Sequence, residues 1–416
     1  MTCRRTAHII LLQCVLGMIL PGCQWGPGLM KSGSGQYNEA VRVVQSKQML
    51  KNLVRLRYRE IPVFLSISSV STQFEFNQTG QVGGTINENV GPGGLNPNLL
   101  NLSGSQKYSE RPTITYSILG GEDFVKRLLT PISVEHISLL SETGWRPDRV
   151  LRLTVERANG LSNAPAASGP TPSLVPPFRR FKETTQLLHE LLYEHAVELE
   201  FSVRTMAISP AIPISQVNGG ALVEAARRGA AFEPAPDGEG VVLTKERRVL
   251  VLRFNPEDRA SHKIQRLREL LHLTPNRDEF ELVGFENRRL DPLVSQQPCK
   301  NIAIDTRSLI AVLYYASQAV QVPPEDEASG IVTTTRDAHG NRFDWAQVLG
   351  DLFTVHVSES RPADAVVAIR HRGHWFYIRD DDETSKSTFL LLNQLFALQS
   401  GEVETTRPLL TLPVGG

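Results

Sequence analysis

From Asn38 onward the apolar positions Val43, Val44, Leu50, Leu53 and Val54 fall three, four or seven residues apart, the spacing of one face of an α-helix. Asn38 is a good capping residue and Pro62 ends the run, so the pattern predicts a helix from Asn38 to Arg59. The period then changes to two. Val70, Thr72, Phe74 and Phe76 alternate with Ser71, Gln73 and Glu75, which predicts a half-buried strand over 63–76. Alternation resumes at 112–118, in position to pair back with that strand. The intervening residues 77–104 are rich in Gly and Asn and too poor in large apolar side chains for a core of their own, so they read as a long loop or hairpin tip.

Asp123–Leu129 and Val134–Thr143 predict short helices separated by Pro131, and Gly144 closes the second. Residues 150–157 alternate and predict a strand. The Pro-, Ala- and Ser-rich stretch 162–177 predicts a linker and a domain boundary. Beyond it the pattern gives a helix over Phe178–His195, a strand at 197–203 and a helix over Ala221–Arg228. A hairpin is expected over 241–254 with its turn near Lys245–Arg248, then a helix at Ser261–Leu271 and a strand at Glu279–Val283. After a break at Asp291–Lys300, Thr306 caps a helix whose centre, Leu309–Ala316, is apolar almost all round and therefore buried. The chain then reads strand (365–371), tight turn (Arg372–Gly373), strand (374–379) and helix (Thr384–Ser400), the last closed by Gly401.

Adjacent strand pairs interleaved with helices imply an α+β fold of two or three compact units, antiparallel hairpins packed with helices. The boundaries implied are 37–161, 178–290 and 300–401. No period of about 20–50 residues repeats, which excludes a solenoid.

The first residues carry a different signal. Arg4 and Arg5 precede an apolar run from Ile9 to Leu20, and Gly22 precedes Cys23: the layout of an export signal over residues 1–22. The run is too short for a membrane helix, which needs about 20 residues. Leu20-Pro21-Gly22-Cys23 resembles the lipobox of bacterial lipoproteins, with Pro21 in place of the usual Ala, Ser or Thr. The resemblance implies that Cys23 receives a diacylglycerol on sulfur, is exposed by cleavage and is acylated on its amine. Gln24, rather than Asp, fits sorting to the periplasmic face of an outer membrane in a diderm host. A soluble secreted protein with an incidental Cys23 is the alternative. Residues 23–36 then form a flexible tether reaching about 20 Å.

Composition agrees with export. Cys3 and Cys14 leave with the signal and Cys23 is committed to lipid, so only Cys299 of the 4 cysteines remains and no intramolecular disulfide forms. Charge is balanced, 44 basic against 44 acidic residues in 416, which excludes bulk electrostatic attraction to nucleic acid.

Candidate chemistry is sparse. His189-Glu190-Leu191-Leu192-Tyr193-Glu194-His195 places its histidines six apart; a zinc pair on one helical face needs four. Ser385-Lys386-Ser387-Thr388 lacks the glycines of a phosphate loop, and the preceding acidic run reads as first-turn charge with Asp382 or Thr384 as cap. Neither a metal nor another cofactor is implied. The densest polar cluster is 370–386, where Arg370, His371, His374, Asp380 and Lys386 are candidates to converge on a ligand or on acid–base chemistry; a solvated hairpin rim is the plainer reading. Lys47, Lys51, Arg55 and Arg59 recur every fourth residue and form a candidate stripe for anionic headgroups, each adding about 1 kcal/mol at a membrane surface; a solvated helix face is the alternative.

Three stretches, "SKQMLKNLVRLRYREIPVFLSISSV", "KYSERPTITYSILGGEDFVKRLLTPI" and "RGHWFYIRDDDETSKSTFLLLNQLFALQSG", together resemble an uncharacterised family of bacterial envelope lipoproteins. They cover less than a quarter of the chain. The resemblance implies a lipid-anchored envelope protein and brings no activity, cofactor or catalytic residue with it. The expectation is a non-catalytic binding or assembly module, held on the membrane by its lipid, with an envelope protein or polymer as partner. An envelope hydrolase centred on His371, His374 and Asp380 is the second reading. A pore built from the hairpin spanning Val70–Ile118 is a third, weakened because 112–118 is shorter than the about 9–11 residues of a membrane strand.

Overall fold

The computed structural model describes residues 26–85, 99–170, 172, 174–235, 238–284 and 298–400. They form two units: one from Val63 to Gly120, and one from the described residues up to Pro62 together with those from Gly121 onward. Cys23 and the expected export signal over residues 1–22 lie outside the described residues.

The smaller unit is one hairpin. Strand β1 (Leu65–Thr85) pairs antiparallel with β2 (Leu99–Ile118) in the register Val70↔Ile114, Phe74↔Glu110 and Phe76↔Tyr108, with an irregularity between Ile67 and Ser69. The amide of Leu119 donates to the Phe64 carbonyl at 2.9 Å and closes the base. The predicted pairing is present. It also runs into the Gly- and Asn-rich stretch, expected as a long loop or hairpin tip, through Gly80↔Gly104 to Thr85↔Leu99. An antiparallel ladder is held by backbone groups, so it needs no apolar side chains to continue.

In the larger unit, helix α1 (Gly26–Arg57) starts twelve residues before the predicted Asn38, in the stretch read as a tether. Propagation adds one hydrogen bond per residue to a helix already nucleated by the packed segment around Leu50 and Leu53, so no apolar period is required. Helices α2 (Glu122–Leu129), α3 (Val134–Glu142) and α4 (Pro147–Thr154) follow. The predicted strand at 150–157 is thus mostly helix. Pro147 sits in the first turn with Asp148 beside it, a helix start, and Val150, Leu153 and Thr154 bury one face at helical spacing. Only β3 (Val155–Ala158) is extended, continuing into β4 (Leu161–Ser162).

The sheet orders its strands β4-β3-β9-β8-β7-β5, with β6 also beside β7; all pairs are antiparallel except β8–β9. Its remaining members are β5 (Val197–Ala207), β6 (Ala230–Pro234), β7 (Val241–Phe254), β8 (Glu279–Gly284) and β9 (Ile302–Thr306). The expected hairpin at 241–254 is one continuous strand. β5 pairs with residues 244–254 on one edge, while β6 pairs with residues 241–245 and β8 with 251–253 on the other. Lys245–Arg248 are exposed near the place where one partner gives way to the next, so their charge marks a solvated gap and no turn.

Helices α5 (Arg179–Tyr193), α6 (Gly219–Arg227), α7 (His262–Leu270) and α8 (Leu309–Ser317) complete this part. Ser308, rather than Thr306, caps α8 by accepting from the Ala311 amide at 3.4 Å. The helix is buried nearly all round, as its composition requires. Beyond it come α9 (Pro324–Ala328), α10 (Ala346–Leu349), a three-stranded sheet ordered β10 (His356–Ser358), β12 (His374–Arg379), β11 (Ala365–His371), and α11 (Glu383–Ser400). Asp382 caps α11 by accepting from the Ser385 amide at 2.9 Å.

The segment 162–177 is not a linker, and the division into middle and C-terminal domains does not hold for the described residues: β8 and β9 pair across it. Asn163, Ala164 and Ala167 are buried, and so is Arg307, at 1% exposure. The Arg307 guanidinium donates to the carbonyls of Leu153 (3.2 Å), Val155 (2.8 Å) and Asn163 and to Ser168 Oγ (3.0 Å), and stacks over the Tyr315 ring at 4.0 Å. Small residues suit this wrap because they let the backbone approach the guanidinium. Among the described residues no helix is long and apolar enough to cross a membrane.

Candidate functional site

Helix α1 packs on β11 and α8, and its last turn brings two halves of the chain together. Leu50, Leu53 and Val54 are fully buried. Arg57 continues the same i, i+3, i+4, i+7 series, so the helix carries its guanidinium into the interior, at 6% exposure. Tyr58 follows, also buried, and the left-handed Arg59 (φ 59°) ends the helix.

The tip of the β11–β12 hairpin lies against this turn. Arg372 and Gly373 both have positive φ, 47° and 88°, as a two-residue hairpin turn demands. That turn places His371 beside Lys51, with Nζ 2.9 Å from Nδ1, and Lys51 also donates to the Arg370 carbonyl at 3.1 Å. The other imidazole nitrogen, Nε2, is 3.4 Å from Glu60 Oε1, and Arg372 donates to the same carboxylate at 3.0 Å. Burial and then the neighbouring Lys51 cation push the His371 pKa down, with Glu60 opposing. Lys51 is pushed down as well, by burial and then by Arg55.

Helix α9 supplies three consecutive carboxylates, each held by a different element. Glu325 lies 3.2 Å from His374 Nε2, Asp326 accepts the Tyr58 hydroxyl at 2.5 Å, and Glu327 pairs with Arg342 at 2.8 Å. Burial and the bond to Asp326 raise the Tyr58 pKa, so the phenol stays protonated and donates.

The five candidates of 370–386 do not converge. Arg370, His371 and His374 sit at the turn end of the hairpin. Asp380 lies beyond the far end of β12, a rise of roughly 20 Å from His374 along extended chain, and pairs there with Lys386 at 3.3 Å. Ser385 and Thr388 are buried, accepting from the Thr354 amide and donating to the Leu352 carbonyl, so the Ser-Lys-Ser-Thr string is packing. The basic stripe is also divided. Lys47 is exposed, Lys51 lies under the hairpin, Arg55 is half-buried, and Arg59, past the end of α1, donates to the Gly330 carbonyl at 3.4 Å. His189 faces Asp148 at 3.8 Å, while His195 lies beyond α5; among the described residues no group of His, Cys, Asp and Glu is placed to hold a metal.

Next to this cluster the same turn of α1 forms one side of a cavity of about 400 Å³. Arg57, Gln318, Glu327, Arg342 and Asp344 are among its polar lining, and Val320, Leu349, Phe353 and Trp345 among its apolar walls. Trp345 is fixed by donating from Nε1 to Thr335 Oγ1 at 3.1 Å and by edge-to-face contact with Phe343 at 5.3 Å. Arg57 donates from Nη1 to the Thr333 carbonyl at 2.9 Å; among the described residues its Nε has no partner and no carboxylate forms an ion pair with it, although the charge of Glu327 on the same cavity favours its cationic form. Burial lowers its pKa to about 10, which leaves it cationic at neutral pH. Gln318 is 5% exposed; its amide donates to the Tyr314 carbonyl, and among the described residues its Oε1 has no partner.

Arg57, Gln318 and Trp345 belong to none of the candidate motifs of the sequence. A signal for Arg57 was present, since an arginine occupies the apolar phase of α1, three residues beyond Val54. Gln318 and Trp345 carry no such signal, because the cavity closes only when α1, α8 and α10 are assembled. Known protein families, curated proteins and solved structures were compared with this chain, and none matches.

Proposed function

We propose that this is an exported, lipid-anchored protein of the cell envelope that acts as a non-catalytic binding module, with the cavity beside Arg57 as its ligand site. The export signal and Cys23 support the anchor. The observation that carries the binding reading is a buried guanidinium that forms no ion pair among the described residues, on a cavity with mixed polar and apolar lining, since such a group is costly to bury unless something pairs with it. The groups that acid–base chemistry would use are already engaged with one another: His371 with Lys51, Arg372 with Glu60, Tyr58 with Asp326. A hydrolase centred on His371, His374 and Asp380 has less support, because Asp380 is at the opposite end of the strand from both histidines.

The test is mass spectrometry of the N-terminal peptide from membrane fractions of cells expressing the full chain, beside Cys23→Ser. The reading predicts a diacylglyceryl and acyl adduct on Cys23 and loss of membrane association in Cys23→Ser. An unmodified peptide, with the protein free of the membrane, overturns the anchor.

A further inference from the structure

We propose that the cavity lined by Arg57, Gln318 and Trp345 takes a single carboxylate joined through an amide to an apolar group, the chemistry of an acylated amino acid or the C-terminal residue of a peptide. This deepens the binding-module reading by naming the ligand class, and it rests on that reading for its physiological setting.

Three features select the class. Arg57 is held in the core by the helical phase it shares with Leu50, Leu53 and Val54, and its fork of donors suits a carboxylate. Gln318 Oε1 is a buried acceptor without a partner on the same cavity, and an amide N–H in the ligand supplies the missing donor. The walls at Val320, Leu349, Phe353 and Trp345 are apolar, and about 400 Å³ falls in the range of small-molecule sites, roughly 300–1,000 Å³. Charge argues against a larger anion. Arg57 and Arg342 balance Glu327 and Asp344 on the same cavity, so a dianionic phosphate brings in twice the uncompensated charge of a monoanionic carboxylate.

The experiment is isothermal titration of the purified full chain in detergent with N-acetyl-leucine, N-acetyl-leucinamide and inorganic phosphate. The acid and the amide differ only at the carboxylate. The acid is expected to bind at least about tenfold tighter than the amide, the worth of one charge-assisted contact, and tighter than phosphate. Arg57→Gln is expected to remove the preference for the acid, and Thr334→Trp, which fills the cavity from a half-buried position, to weaken acid and amide together. If Arg57→Gln does not fold, quenching of Trp345 by the acid is read instead, in a chain whose other tryptophans (Trp25, Trp145 and Trp375) are replaced by Phe. Equal affinity for acid and amide, no binding of either, tighter binding of phosphate, or binding indifferent to Thr334→Trp each overturns the proposal. The two readings fail separately: an unacylated chain that prefers the acid removes the envelope anchor alone, and an acylated chain that does not distinguish the two removes the ligand class alone.

Discussion

The ammonium of Lys51 lies 2.9 Å from Nδ1 of His371, joining the first helix to a hairpin 320 residues further along the chain. A cation against an imidazole favours the neutral ring, and burial acts in the same direction. The folded protein therefore takes up its proton on His371 at lower pH than the unfolded chain does.

The sign follows from linkage. With the folded pKa below the unfolded value of about 6.5, the unfolded chain binds more protons in the interval between the two, so stability present above about pH 6.5 is lost as pH falls through that interval. His371→Gln keeps an acceptor near Lys51 and does not titrate. Urea midpoints at pH 7 and pH 5 are expected to differ less in H371Q than in the parent chain; an unchanged difference removes His371 as the source.

Asp351 joins Arg152 at 2.8 Å and Lys182 at 3.0 Å, and Arg152 is almost wholly buried. Burial raises the pKa of this carboxyl, but the hydrogen bonds from Arg152 and Lys182 outweigh it and bring the value down to about 2. Asp351→Asn leaves the Arg152 charge without its counter-ion. Because Asp351 is 43% exposed, the cost falls below the range for fully buried pairs, at about 2 kcal/mol. Chemical denaturation at pH 7 checks it. The parent chain should also lose this contribution between about pH 4 and pH 2, and D351N should show no such loss.

Arg307 is a test of the core. Its planar fork reaches carbonyls from two separate segments and Ser168 Oγ while lying over the Tyr315 ring, and an ammonium, a single point with three donors, cannot serve all of these at once. Arg307→Lys keeps the charge yet strands several buried acceptors, with an expected loss of about 3 kcal/mol or more. A denaturation midpoint within error of the parent rules out this account of how 162–177 is held.

At Gly373 the backbone has φ of 88°, and a Cβ built there meets nothing within 4 Å. The penalty for Gly373→Ala is therefore conformational alone, about 1 kcal/mol. A Gly373→Asn variant, whose side chain tolerates the left-handed region, should recover part of it; equal losses for both assign the cost to something other than φ.

Where a single element carries its own pattern, the chain is legible from sequence. Helix α8 is apolar on every side and is buried on nearly every side. The hairpin 365–379 shows alternation on both arms with a Gly at its turn, and it forms with that turn. The misreadings share one cause. The charges at 245–248 resemble a turn until β6 and β8 are seen to succeed one another along β7. Small residues at 164–168 resemble a linker until Arg307, over a hundred residues later, is seen to need a close backbone. In the candidate site, Lys51 and His371 were each singled out for different roles and meet in space, whereas Asp380 and His374 were grouped by nearness in sequence and are kept apart by an extended strand.

The amino-acid order by itself determined the mixed helix-and-strand character and most element positions from their periods of 3.6 and 2, because each depends on residues close along the chain. Tertiary structure alone decided that 121–400 is one unit, that a parallel pair joins β8 to β9, and that Arg57 borders a cavity with Gln318 and Trp345. Those depend on which surfaces bury together, and burial is settled by the summed packing of distant segments, which no local period records.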